Sequence, residues 1–167
     1  PFIYEANNRP LDDFCGLSAA EMHRLVHEPL SRDSVVKLKE PITDNVLDSI
    51  PLFRLFEEFI GLFNDKTGSM KLTGTGSLQQ GVLRELYAKG IIKDEYLDYR
   101  KKPITRENQW EAMYALHNVA RLIGLVRMQH NKLLLTKKAR KLMQDRVELF
   151  KYLLKAYAEQ FNWGFMD

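Results

Sequence analysis

The chain has 167 residues and a formal net charge of +3, with 45% hydrophobic and 28% charged residues. That balance suits a folded, soluble protein and argues against a disordered one. No stretch approaches the roughly 20 apolar residues that cross a bilayer, and residues 1–10 carry no basic region followed by an apolar run, so no signal peptide is read there. Cys15 is the only cysteine, which excludes an internal disulfide and makes the cytoplasm the default expectation.

Residues 1–16 read as an irregular opening. Ser18 with Glu21 forms a capping box for a short helix whose Met22, Leu25 and Val26 should be buried, and Pro29 ends it. A loop around Val35 and Val36 follows. Thr43 or Asp44 caps a short turn, and Pro51 opens a helix at a favourable first-turn position. Phe53, Leu55, Phe56, Phe59, Ile60 and Phe63 cover most of its circumference, so it should be central to the core. Residues 64–69 read as a turn and 70–73 as a short strand. A second helix is expected over 77–89, closed by Gly90, and a further helical turn over 95–99.

The stretch from 107 to 142 is the most informative. Trp110, Met113, Tyr114, Leu116, Ala120 and Ile123 recur at three- and four-residue steps, the pattern of an amphipathic helix. Thr105 or Asn108 should cap it, and Gly124 should end it. Two short strands, 125–129 and 132–136, meet at His130-Asn131, a plausible hairpin turn. Thr136 then caps a last helix running from 137 towards 160. The expectation is a mainly α, compact helical domain with a small β-hairpin and three short strands in all. Helix, hairpin and basic flanks in this order resemble the final third of a winged-helix domain, so the second half is expected to be winged-helix-like. Two regions are expected, an N-terminal irregular and short-helix segment (1–50) packed on a helical region (51–167). Large apolar residues at both ends suggest a fragment of a longer protein.

Charge is unevenly spread. Residues 1–65 are acid-rich, whereas the stretch from Arg121 to Lys155 is basic, holding Arg146 and Lys151 among others against only Asp145 and Glu148. Such asymmetry can give a face that attracts phosphate backbones. Arg127 and Lys132 on the hairpin, with Lys137, Lys138, Arg140 and Lys141 after it, are the candidate nucleic-acid-binding residues. They suit backbone contact better than base reading. The helix before the hairpin would offer Arg106, Glu107, Gln109, Glu111, Asn118 and Arg121.

Other chemical patterns are weak. His23 and His27 have the four-residue spacing of helical metal ligands, but no second cluster accompanies them and half-exposed histidines are the better reading. Residues 71–77, with Gly74 and Gly76, lie between a strand and a helix, where backbone amides can hold phosphate. They lack the lysine and spacing of a P-loop, so a plain turn is the better reading. Cys15 has no basic neighbour to activate it. No catalytic residue set, metal site or cofactor site emerges.

Three segments carry a family resemblance. Leu17-Ser-Ala-Ala-Glu-Met-His23, Lys71-Leu-Thr-Gly-Thr-Gly-Ser-Leu78 with the Leu86-Tyr87 ending, and Leu133-Leu-Leu-Thr-Lys-Lys138 together resemble a bacterial family of uncharacterised proteins. That family is associated with a domain named after a plasmid open reading frame. The resemblance covers most of the chain, rests on caps, turns and core positions, and brings no catalytic residues with it. The expected function is a non-catalytic binding module whose partner is nucleic acid. The alternative is a protein-interaction or scaffold domain that binds another protein or a flanking domain.

Overall fold

The computed structural model describes residues 2–63, 68–100, 102–162 and 164, without the side chains of Phe2 and Arg100. The chain is mainly α-helical with one small antiparallel sheet. It divides into two compact units, one formed by the chain up to Pro41 with Leu154–Phe161, the other centred on Ile42–Leu153.

The first unit opens on α1 (Phe2–Asn8), where an irregular segment was expected. No glycine or proline interrupts these seven residues, and Asn8 Nδ2 donates back to the Tyr4 carbonyl at 2.8 Å. A 3-10 turn (Asp12–Phe14) ends on Cys15 and Gly16, both left-handed. Helix α2 (Ala19–His27) has the expected capping box. Ser18 Oγ accepts from the Glu21 amide, and the Glu21 carboxylate accepts from the Ser18 N–H and hydroxyl at 2.8 Å. Those bonds hold the Glu21 carboxyl below its ordinary range. The expected buried face is not formed: Met22 and Leu25 are half-buried and Val26 is 63% exposed. The apolar residues of α1 do not cover it, since Ile3 and Tyr4 are themselves exposed. The segment 154–161 belongs here, and Glu159 Oε1 accepts from the Leu30 amide at 3.1 Å.

The second unit holds the core. After α3 (Asp44–Asp48), Pro51 opens α4 (Pro51–Gly61), as its fixed φ and missing N–H allow. Phe53, Leu55, Phe56, Phe59 and Ile60 are all buried along α4. Truncating any of these phenylalanines removes about 3–5 kcal/mol of packing. Strand β1 (Ser69–Lys71) comes next; most of the turn expected before it, residues 64–67, lies outside the described residues.

Helix α5 (Gln80–Ala88) starts three residues later than the sequence suggested. Leu78 is held extended by a bridge to Leu72, and its amide donates to Glu107, so neither residue 77 nor 78 can turn into the helix. Gly90, at φ 65°, closes the helix as expected. Helix α6 (Glu95–Arg100) and a 3-10 turn (Glu107–Gln109) lead into α7 (Glu111–Leu122), whose N-cap is Trp110 rather than Thr105 or Asn108. The Thr105 amide and hydroxyl are engaged by Gln109 Oε1 instead.

Strands β2 (Val126–Gln129) and β3 (Lys132–Leu135) form the hairpin. His130 and Asn131 take φ of 50° and 56°, the double left-handed turn that matches the natural twist of paired strands. The sheet order is β1-β3-β2, fully antiparallel. Thr136 caps α8 (Lys137–Leu142) through its hydroxyl, which accepts from the Ala139 amide at 3.1 Å. The single long helix expected here is broken. Asp145 Oδ1 accepts from the Val147 and Glu148 amides and so starts a new helix, α9 (Arg146–Lys155), which runs into a π-helical turn (Ala156–Gln160). Phe150 on α9 meets Phe53 on α4 edge to face, 5.4 Å apart.

Candidate nucleic-acid interface

Strand periodicity decides which side chains share a face of the sheet. Residues paired across strands lie on the same side, and each strand alternates sides at every residue. Met70 pairs with Leu133, Leu133 with Met128, and Leu135 with Val126. Met70, Leu133 and Val126 are buried, so this side faces the core. The other side is then built from two rows, Ser69–Leu134–Arg127 and Lys71–Lys132–Gln129. Each strand except β2, which gives Arg127, contributes a lysine, so three cations and no carboxylate project from the outer face.

Lys71 and Lys132 are directly opposite each other. Like charges in that position destabilise a sheet by a few tenths of a kcal/mol up to about 1 kcal/mol. Lys71, Arg127 and Lys132 are all exposed, and none has an ion-pair partner among the described residues. A sheet built for stability alone would place a carboxylate there. Lys71 was not among the residues singled out from sequence, because its alignment with Lys132 depends on a pairing between strands some sixty positions apart.

The basic helix after the hairpin behaves differently. The Thr136 hydroxyl donates to the Gly124 carbonyl at 2.8 Å, and Lys138 Nζ donates to the Ile123 carbonyl at 3.1 Å. Both carbonyls lie at the C-terminal end of α7, where the helix dipole is negative and carbonyls lack partners. Lys138 also bonds the Tyr152 hydroxyl and sits 4.3 Å from its ring centroid. Lys138 is therefore a clamp on α7 and α9. Arg140 reaches back across the start of β1, with its guanidinium against Gly68. Lys137 and Lys141, one helical turn apart, are exposed.

Helix α7 presents less than the sequence suggested. Met113, Ala115, Leu116, His117, Val119 and Ala120 are buried along it. Glu107, expected on the surface, is only 3% exposed. Its Oε2 accepts from the Leu78 amide at 2.6 Å, and its Oε1 lies 2.7 Å from His117 Nδ1. One carboxylate thus ties the approach to α5 to the middle of α7. No local sequence signal marks this pair, which joins residues 29 and 10 positions away. Gln109 turns its amide oxygen towards the Thr105 and Arg106 amides. Glu111, Arg121 and Leu122 remain exposed, while Asn118 is half-buried and donates to the Tyr114 carbonyl. This helix therefore offers few groups for reading base edges.

Arg146 is withdrawn from the basic surface too. Its guanidinium makes a two-bond fork with Glu57, at 2.7 and 2.8 Å, and binds Asp44 and Asp48 at 2.7 Å each. Glu57 first, then Asp48, raises its already high pKa further. The fork joins α9 to α3 and α4.

The remaining sequence candidates are dispersed. His23 and His27 are exposed on α2 with ring centroids 4.4 Å apart, and among the described residues no group of three His, Cys, Asp or Glu side chains is placed to hold a metal ion. Cys15 is exposed. The 73–77 turn is held by its own bonds, with Thr73 Oγ1 accepting from the Ser77 amide at 3.0 Å. Among the described residues no helix is long and apolar enough to cross a membrane. No protein-family model, curated protein or solved structure matches the chain.

Proposed function

We propose that the second unit is a non-catalytic, winged-helix-like module that binds nucleic acid through the outer face of its sheet. The reading rests above all on Lys71 and Lys132 side by side, with Arg127 on the same face and no carboxylate among them. A pair of like charges held together at a cost to stability is expected where the charge is needed for a partner. The chain order supports the winged-helix part of the reading: α4, β1, α5, then α7 after the short α6 inserted before it, and the β2–β3 wing, with the sheet arranged β1-β3-β2. Exposed Lys137 and Lys141, with Arg140 beside β1, extend the positive field. Lys138 is left out because it clamps α7.

Lysine and arginine on a sheet face neutralise phosphates without reading bases, so binding should be largely independent of sequence and steep in salt. The test is a salt titration of binding to a short duplex and a single-stranded oligonucleotide. Changing Lys71, Arg127 and Lys132 together to Ala should weaken binding to every sequence and lower the log–log salt slope by about three. Absence of binding at low salt would overturn the proposal and leave a protein-interaction module as the working reading.

A further inference from the structure

A cavity of about 400 Å³ opens where the 73–77 turn meets the segment 105–108, within the size range of small-ligand clefts. Two lining residues are charged, Arg106 and Glu107. Glu107 directs both oxygens to inward donors and is only 3% exposed, so its carboxylate is already coordinated. Arg106 is exposed and has no carboxylate partner among the described residues. The charge this cavity offers to solvent is positive. Ser77 and Asn108, also among its lining residues, carry neutral donor groups.

The cavity borders the wing. The Leu72 amide donates to the Asn131 carbonyl in the hairpin turn at 2.8 Å. The sulfur of Met128, in the core-side row of the sheet, lies 3.1 Å from where a Cβ on Gly76 would stand, so the 73–77 turn closes on that side of the hairpin. Lys71 is therefore two residues along the chain from Thr73 on the cavity wall, and Lys132 adjoins the hairpin turn that Leu72 contacts. A nucleic-acid strand that runs off the outer face past the hairpin turn would reach this opening.

We infer that this cavity seats one backbone phosphate of the bound nucleic acid, with Arg106 as its cation and the Ser77 hydroxyl and Asn108 amide as donors. The inference rests on the nucleic-acid reading above and adds a second, concave contact to its flat one. A guanidinium with flanking donors matches the geometry of a phosphate better than a lone ammonium would.

The experiment is an amide-resolved NMR titration of the intact chain with a short oligonucleotide and, separately, with inorganic phosphate, alongside affinity measurements on Arg106→Ala, Arg106→Lys and Ser77→Ala. Oligonucleotide should shift the Thr75, Ser77 and Asn108 amides. Arg106→Ala should weaken binding about tenfold and lower the salt slope by about one, with Arg106→Lys restoring part of the affinity. Arg106 is exposed and has no ion-pair partner among the described residues, so its loss should leave the fold intact. Oligonucleotide binding that ignores Arg106→Ala and leaves those amides unmoved would overturn the inference and spare the sheet-face reading. Shifts with inorganic phosphate but no binding of oligonucleotide would overturn it in favour of a free phosphate ligand. No response to either would overturn both readings.

Discussion

Positive charge in the second unit falls into two regions that the sequence does not separate. On the outer sheet face, Lys71, Arg127 and Lys132 have no ion-pair partner among the described residues, and two of them are directly opposed. Around α8 and α9, Lys138 closes the end of α7 and Arg146 gathers Glu57, Asp44 and Asp48. The first group makes no ion pair among the described residues; the second ties elements of the fold together. A basic stretch in a sequence counts charges, but only the folded chain divides those that hold it together from those left for a partner.

The division can be broken by mutation, because the two groups should respond in opposite ways. The largest effect belongs to the buried carboxylate that organises this unit. Glu107→Ala strips His117 of its partner and leaves the Leu78 amide without an acceptor, so it should cost about 3–5 kcal/mol. Chemical denaturation would measure it, and a loss under about 1 kcal/mol would show that the pair is incidental. Arg146→Ala comes next. It leaves three carboxylates facing one another, but the site is partly open to solvent, so screening limits the cost to about 1–2 kcal/mol. Affinity for an oligonucleotide should be unchanged in this variant; a drop at constant fold would return Arg146 to the interface. Lys138→Ala should cost about 0.5–1 kcal/mol by uncapping α7, again without loss of binding. A variant as stable as the parent but weaker for nucleic acid would move Lys138 back among the contact residues.

What the sequence made legible follows the range of the interaction. The Ser18–Glu21 box, Pro51 opening α4, Gly90 and Gly124 as helix stops, the His130-Asn131 turn and the Thr136 cap are all set within a few residues. Each was readable from local chemistry. The apolar density of α4 also announced its place in the core. The delayed start of α5 was not readable, because Glu107 holds Leu78 from 29 residues away. The break before α9 was missed because the apolar period continues across Asp145, whose capping bonds decide the matter. On the sheet face, Arg127 and Lys132 could be placed on a hairpin from sequence. Lys71 could not be joined to them without the β1–β3 pairing, and Arg106, read from sequence with the helix before the hairpin, lines the cavity ahead of that helix instead. Glu107 shows the same limit from the other side: a charged residue at a polar position of the pattern was turned inward by a partner the pattern cannot see.

The smallest change in stability should be the most telling. Lys132→Ala removes one of two opposed ammonium groups, so the sheet should be unchanged or stabilised by a few tenths of a kcal/mol. The comparison has an internal check in salt. Screening weakens the Lys71–Lys132 repulsion, so added salt should narrow the stability gap between the parent and Lys132→Ala, as read by denaturant midpoints at low and high ionic strength. The same variant should bind an oligonucleotide more weakly and with a salt slope lower by about one. A variant that gains or keeps stability while losing affinity marks a charge retained for a partner. If Lys132→Ala instead destabilised the sheet by more than about 1 kcal/mol, the lysine would be supporting the fold through its aliphatic stem. The outer face would then belong with Lys138 and Arg146, and the distinction between the two regions would collapse.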